Sequence, residues 1–263
     1  MVAALGIAAL VLWLVNRGGH PYTSTGRSNL VGFTLRSDLL HRSLGEVVVE
    51  PPGGGKGRPL LVLLHGRSAL PDSFLSDAFF EGLNALGDRA PGVLLANGGD
   101  HSYWHDRRDG PWGSYVLREA IPAAIDILHA DPKRVAIGGV SMGGFGALNL
   151  ARLAPGRFCA VGGHSAALWL RGADSPVGTF DDAEDFVHND VIGAARGRSP
   201  YTAPVWLDVG TDDPFRSADT RLAEELRAGG ARVTFHVWPG GHEATYWDSH
   251  MASYLRFYAD ACS

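Results

Sequence analysis

The chain is 263 residues long, 45% hydrophobic and 19% charged, with a formal net charge of −5. That length suits one large domain with a substantial core, and the acidic balance offers no basic stripe to a nucleic acid, so no such partner is expected. The two cysteines, Cys159 and Cys262, form neither a metal-ligand spacing nor a disulfide framework.

The stretch from Val2 to Val15 carries no charge. It is shorter than the roughly 20 residues that span a bilayer. It reads as the apolar region of a signal peptide or as a short membrane anchor, although no basic residue precedes it and no small-x-small cleavage site follows. Residues 1–30 are expected to form this segment and a linker. The same reading places the protein outside the cytoplasm, secreted or anchored, with membrane association through the N-terminal segment. Residues 31–263 are the expected catalytic domain.

Two short strands, 31–35 and 46–50, are expected to open the sheet in antiparallel fashion. Residues 59–64 then form a continuous apolar strand, the pattern of a parallel sheet covered on both faces. A helix over 74–86, a strand over 92–96 and a helix over 115–129 follow. The β-prone Arg134–Ile137 leads into the glycine run at 138–144, and a helix follows it. Cys159 lies in the next apolar strand, 157–162, and is expected as a buried free thiol. A Cys159–Cys262 bridge is the alternative if the chain is exported. Residues 166–203 are polar and read either as a small cap or as a solvated surface excursion. Strands at 205–209 and 232–238 and helices at 218–228 and 244–261 complete the chain. Strands alternating with helices predict an α/β fold, a mostly parallel central sheet with helices on both faces.

The run Gly138-Gly-Val-Ser-Met-Gly-Gly144 carries the chemistry. A strand, a tight glycine turn and a helix would hold Ser141 on a strained elbow with its Oγ exposed, as in α/β-hydrolases. Side chains at Gly139 and Gly143 would clash where strand and helix approach. The helix N-terminus adds free N–H groups near a developing oxyanion.

A serine nucleophile needs a base and a group that orients the base. His242, on the glycine loop after the last strand, fits the base. The acid lies in Asp208-Val-Gly-Thr-Asp-Asp-Pro214, where Asp208 sits within the strand as a support for the loop. Asp212 and Asp213 both fall on the loop. For the oxyanion the expected donors are the amides of Met142, which follows the nucleophile, and Arg67, in Leu63-Leu-His-Gly-Arg67. His65 reads as architecture beneath that loop. Trp104 and His164 are expected to line the substrate pocket, with Trp112 and Trp169 as further apolar or sugar-stacking surface. His101, His105 and Asp106 make a weak metal pattern, so no metal and no organic cofactor is expected.

With these motifs in place the chain resembles an esterase family of α/β-hydrolases. That family includes esterase D (S-formylglutathione hydrolase), feruloyl and acetylxylan esterases, enterochelin esterases and the trehalose mycolyltransferases. The resembling stretches are L-L-H-G at 63–66, G-G-D-H-S-Y-W at 98–104, G-V-S-M-G-G-F-G-A at 139–147, G-T-D-D-P-F at 210–215 and G-G-H-E-A-T-Y-W at 240–247. The resemblance implies Ser141 as nucleophile, Asp213 as acid, His242 as base, and a small-molecule, lipid or glycan ester as substrate. Hydrolysis is the first implied activity, and acyl transfer to a sugar or lipid hydroxyl the second. A non-catalytic binding protein of the same fold is the remaining alternative. Mycolyltransferases similar to this family use a glutamate as the acid, where this chain offers aspartates.

Overall fold

Alternation along the strands decides which helix each residue meets. In β3 (Leu60–Leu64) every residue is buried. Leu60, Val62 and Leu64 enter one core cluster, and Leu61 and Leu63 the other. A period of two on a sheet covered on both sides requires this division. The computed structural model describes residues 22–263. The expected signal or anchor segment lies outside them, and of the expected linker only residues 22–30 are described.

The sheet has eight strands in the order β1-β2-β4-β3-β7-β8-β9-β10. Here β1 is Asn29–Ser37, β2 Arg42–Glu50, β4 Gly92–Ala96, β7 Val135–Val140, β8 Ala160–His164, β9 Val205–Gly210 and β10 Val233–Trp238. β1 and β2 pair antiparallel with each other, and β2 pairs antiparallel with β4. All the remaining pairings are parallel. A two-residue ribbon, β5 (Asp106–Arg107) with β6 (Gly110–Pro111), lies apart from the sheet.

The helices α1 (Asp77–Ala85) and α8 (Ala244–Ala261) cover one face and pack on each other. The other face carries α3 (Ile121–Leu128), α4 (Met142–Leu153), α6 (Val191–Ala195) and α7 (Arg216–Ala228). Before α3, α2 (Trp112–Tyr115) runs on through a π turn at Val116–Ala120. The α/β expectation therefore holds, with two local differences. The expected linker is already packed at Tyr22, whose ring meets Phe80 at 4.8 Å, and at Thr23, whose amide donates to Asp77 Oδ1 at 2.6 Å. The helix expected from residue 74 starts at Asp77, because the Ser76 hydroxyl caps it by accepting from Phe79 N.

The cysteine expectation is corrected. Cys159 and Cys262 are bonded to each other, with Cα atoms 5.3 Å apart. α8 runs the length of the sheet and returns the C-terminus to the start of β8, so the apolar surroundings of Cys159 include its partner.

Residues 166–203, expected as a small cap or a solvated surface excursion, are tied to α4 and to the 101–108 loop. α5 (Ala183–His188) and α6 sit against α4, where Asn149 Nδ2 donates to Asn189 Oδ1 at 2.9 Å. Asp181 and Asp185 hold Arg107 and His105 of the 101–108 loop at 3.3 and 3.1 Å. Among the described residues no helix is long and apolar enough to cross a membrane.

Candidate active site

The turn from β7 into α4 places Ser141 at φ 54 and ψ −118. That conformation is costly for a non-glycine residue and persists only when its surroundings dictate it. The surroundings are the turn after β8. Ser141 N donates to His164 O at 3.0 Å, and Ala167 N donates to Ser141 O at 2.9 Å. A Cβ at Gly143 would lie 1.8 Å from Leu64 O, and one at Gly139 would lie 2.5 Å from Gly143 C. The glycines thus let the elbow fold tightly against the end of β3.

His242 lies between β10 and α8, on the loop that crosses the sheet edge above Ser141. Its Nδ1 is 2.8 Å from Asp213 Oδ2 and its Nε2 is 2.8 Å from Ser141 Oγ. Asp213 only accepts when ionised, so the ring proton belongs on Nδ1, and Nε2 accepts from the serine hydroxyl. Burial acts to raise the Asp213 carboxyl, but hydrogen bonds from His242 and from the Phe215 amide outweigh it, and the group lies below its ordinary value. Asp212 is exposed and takes a bond from Thr211 Oγ1 instead. A second carboxyl, Asp219, is fully buried nearby and accepts from Ala166 N. Burial, and then the charge of Asp213, push its carboxyl well above the ordinary value.

The Arg67 and Met142 amides, on the loop after β3 and in the first turn of α4, flank Ser141. Neither donates to an acceptor among the described residues. His65 beneath that loop is buried. Gly98 N donates to its Nε2 at 3.1 Å, so Nδ1 carries the proton and donates to Gly66 O at 2.8 Å. Burial lowers its pKa, and with both ring nitrogens already hydrogen-bonded it is a strut rather than a base.

Two expected pocket residues lie elsewhere. Trp104 is fully buried and donates from Nε1 to His65 O at 3.1 Å. Its ring fills the space over Gly98 and Gly146, where a Cβ at either would come within 2.6 Å of it. It props the loop after β3 from below. His164 points to the α8 face, as its parity with Ala160 in β8 dictates. It donates from Nδ1 to Asp208 Oδ1 at 2.7 Å, accepts at Nε2 from Tyr258 Oη at 2.9 Å and stacks on Tyr254. Asp208, read as a loop support, is the hub of that network, accepting also from Trp206, Tyr246 and Tyr254. Trp112 is buried, and Trp169 packs on Phe215, which in turn meets the His242 ring at 5.2 Å. Among the described residues no group of three or more His, Cys, Asp or Glu could hold a metal. His105 pairs with Asp185, and Asp106 accepts from Ser114.

A cavity of about 410 Å³ opens at Ser141 and His242. Phe74, Val140, Trp247 and Met251 line it, and Ser73 and Asp248 also border it. The sequence reading missed these residues. The available signal was Trp247 and Met251, four apart on one helix face and just after the histidine loop.

The family described as "Putative esterase" matches residues 40–258. Esterase Rv1288 of Mycobacterium tuberculosis is 26% identical, over 72% of this chain and 49% of the relative. The chain thus spans about half the length of the curated relatives it matches. A solved ferulic acid esterase superposes with a TM-score of 0.77 at 22% identity, covering 89% of this chain and 99% of the other. An S-formylglutathione hydrolase from Agrobacterium tumefaciens gives 0.74 at 18% identity, with 92% and 98% covered. Both likenesses establish the α/β-hydrolase fold. With the family match running from β2 into α8, the chain belongs to the esterase family.

Proposed function

We propose that this chain is a serine esterase that hydrolyses carboxylic esters through an acyl-enzyme on Ser141. The observation that carries the reading is the hydrogen-bonded series Ser141 Oγ, His242, Asp213 at the mouth of an apolar cavity. Ser141 Oγ bonds to the ester carbonyl carbon while its proton passes to His242 Nε2. The carbonyl oxygen, now negative, takes hydrogen bonds from the amides of Met142 and Arg67. The C–O bond to the alcohol breaks, and the alcohol leaves with the proton from His242. Water then repeats the sequence, releasing the acid and restoring Ser141. Asp213 holds the imidazole in the required tautomer and balances its transient charge. An acceptor hydroxyl in place of water would turn the same steps into acyl transfer, and product analysis with a sugar or lipid alcohol separates the two.

The same reading places the domain in an oxidising compartment, supported by the Cys159–Cys262 bridge and the apolar stretch from Val2 to Val15.

The test is hydrolysis of p-nitrophenyl esters from acetate to palmitate by wild type and Ser141→Ala. Loss on the order of 10⁶-fold in turnover is expected for a serine that acts as nucleophile. Equal turnover by the two proteins would overturn the mechanism.

A further inference from the structure

The cavity beside Ser141 has an apolar floor of Phe74, Val140 and Met251, all buried, and a wall of Trp247. One carboxylate borders it, Asp248 in the first turns of α8. That carboxylate is fixed from outside the cavity. Ser76 Oγ, which caps α1 by accepting from Phe79 N at 3.2 Å, donates to Asp248 Oδ1 at 2.8 Å. The cap therefore sets the position of the acid, and Oδ2 remains as an acceptor without a donor among the described residues. A methyl-ended chain laid along this cavity would displace water from the carboxylate and return nothing. A group that carries a donor would restore the lost hydrogen bond, and a bond to a charged acceptor is among the stronger ones.

We propose that Asp248 is a specificity-determining residue. It selects esters whose pocket-bound group carries a hydroxyl or ammonium several bonds from the scissile carbonyl. The proposal rests on Ser141 being the nucleophile. The donor belongs to either the acyl or the alcohol side of the ester, and the two arms of the test distinguish them. The acyl arm compares p-nitrophenyl 6-hydroxyhexanoate and 8-hydroxyoctanoate with hexanoate and octanoate. The alcohol arm compares 6-hydroxyhexyl acetate with hexyl acetate.

Wild type is expected to prefer the donor-bearing ester in one arm by about tenfold in kcat/KM, the scale of one charge-assisted bond at a half-exposed site. Asp248→Leu is expected to abolish that preference, largely through KM, and Ser76→Ala to weaken it by freeing the carboxylate. If the leucine variant does not fold, Asp248→Asn, which keeps an acceptor and the shape but loses the charge, is expected to lose most of the preference. No preference in either arm, or a preference that survives both Asp248 variants, overturns the proposal. A wild type inactive on every ester overturns the esterase reading instead, and Ser141→Ala separates the two failures.

Discussion

At the scale of single residues, the site turns on which aspartate reaches His242. Asp212 and Asp213 are neighbours, and the loop sequence alone does not choose between them. The backbone does: Asp212 N donates to Gly240 O, and the turn at Asp213 directs its carboxylate inward to His242. Asp213→Asn is expected to lower kcat by roughly 10⁴-fold, because an amide N–H facing Nδ1 favours the wrong tautomer. Asp212→Asn is expected to stay near wild type. Steady-state kinetics of the pair check this, and the opposite order would reassign the acid. Ser141 and His242 were legible because each stands on a glycine loop directly after a strand. Trp104 and His164 were misplaced because residue type and position in the chain do not show which side of a backbone a side chain takes.

At the scale of elements, β8 and α8 show what a reading by residue type leaves out. Gly138 and Gly162 read as part of a glycine-rich elbow and an ordinary strand. In the folded chain they form a slot, since a Cβ at either would lie 1.8 Å from Tyr258 Oη. The slot lets α8 send the Tyr258 hydroxyl through to His164, whose other ring nitrogen holds Asp208, beneath the sheet strands that carry Ser141. Gly162→Ala is expected to destabilise the fold by about 1–3 kcal/mol, as overpacking does. Adding Tyr258→Phe removes the clashing oxygen and is expected to recover part of that loss. A double-mutant cycle in urea reads the coupling, and additive losses would mean that the slot is not the cause.

β2 holds a second buried group. Glu46 accepts from Tyr115 Oη at 2.5 Å and from Asn97 N at 2.8 Å. Burial pushes its carboxyl up to about 7 from 4.5, against the lowering effect of those hydrogen bonds. The folded state thus keeps a proton that the unfolded chain has released. Stability is fully present below the unfolded value of 4.5 and is lost as pH rises through about 7. Glu46→Gln is expected to flatten this decline, by on the order of 3 kcal/mol, since one pKa unit is worth about 1.4 kcal/mol. Urea midpoints at several pH values between about 5 and 8 test it, and parallel curves for the two proteins would show that Glu46 is not the titrating group.

At the scale of the whole molecule, strand–helix alternation made the layered architecture legible, because only a sheet covered on both faces buries continuous apolar strands. The Cys159–Cys262 bridge was legible only as the alternative to a free thiol, since the two are 103 residues apart in sequence and their approach depends on the full length of α8. The bridge closes at the start of β8, at the end of the parallel strands opposite Ser141, so it bears on stability more than on chemistry. A loop of about 100 residues closed by a disulfide restricts the unfolded chain by up to roughly 5 kcal/mol, and removing native bridges commonly costs about 2–5 kcal/mol. At roughly 2–4 °C per kcal/mol for a domain of this size, the Cys159→Ala/Cys262→Ala protein is expected to melt about 5–15 °C lower. Its kcat/KM at 25 °C is expected to match wild type, because neither cysteine borders the cavity or the Ser141–His242–Asp213 series. Thermal melts and initial rates on one preparation separate the two effects. A variant that melts like wild type would show that packing under α8 alone holds the C-terminus in place. One that loses activity while still folded would show that α8 transmits the constraint along its length to Trp247 and the cavity wall.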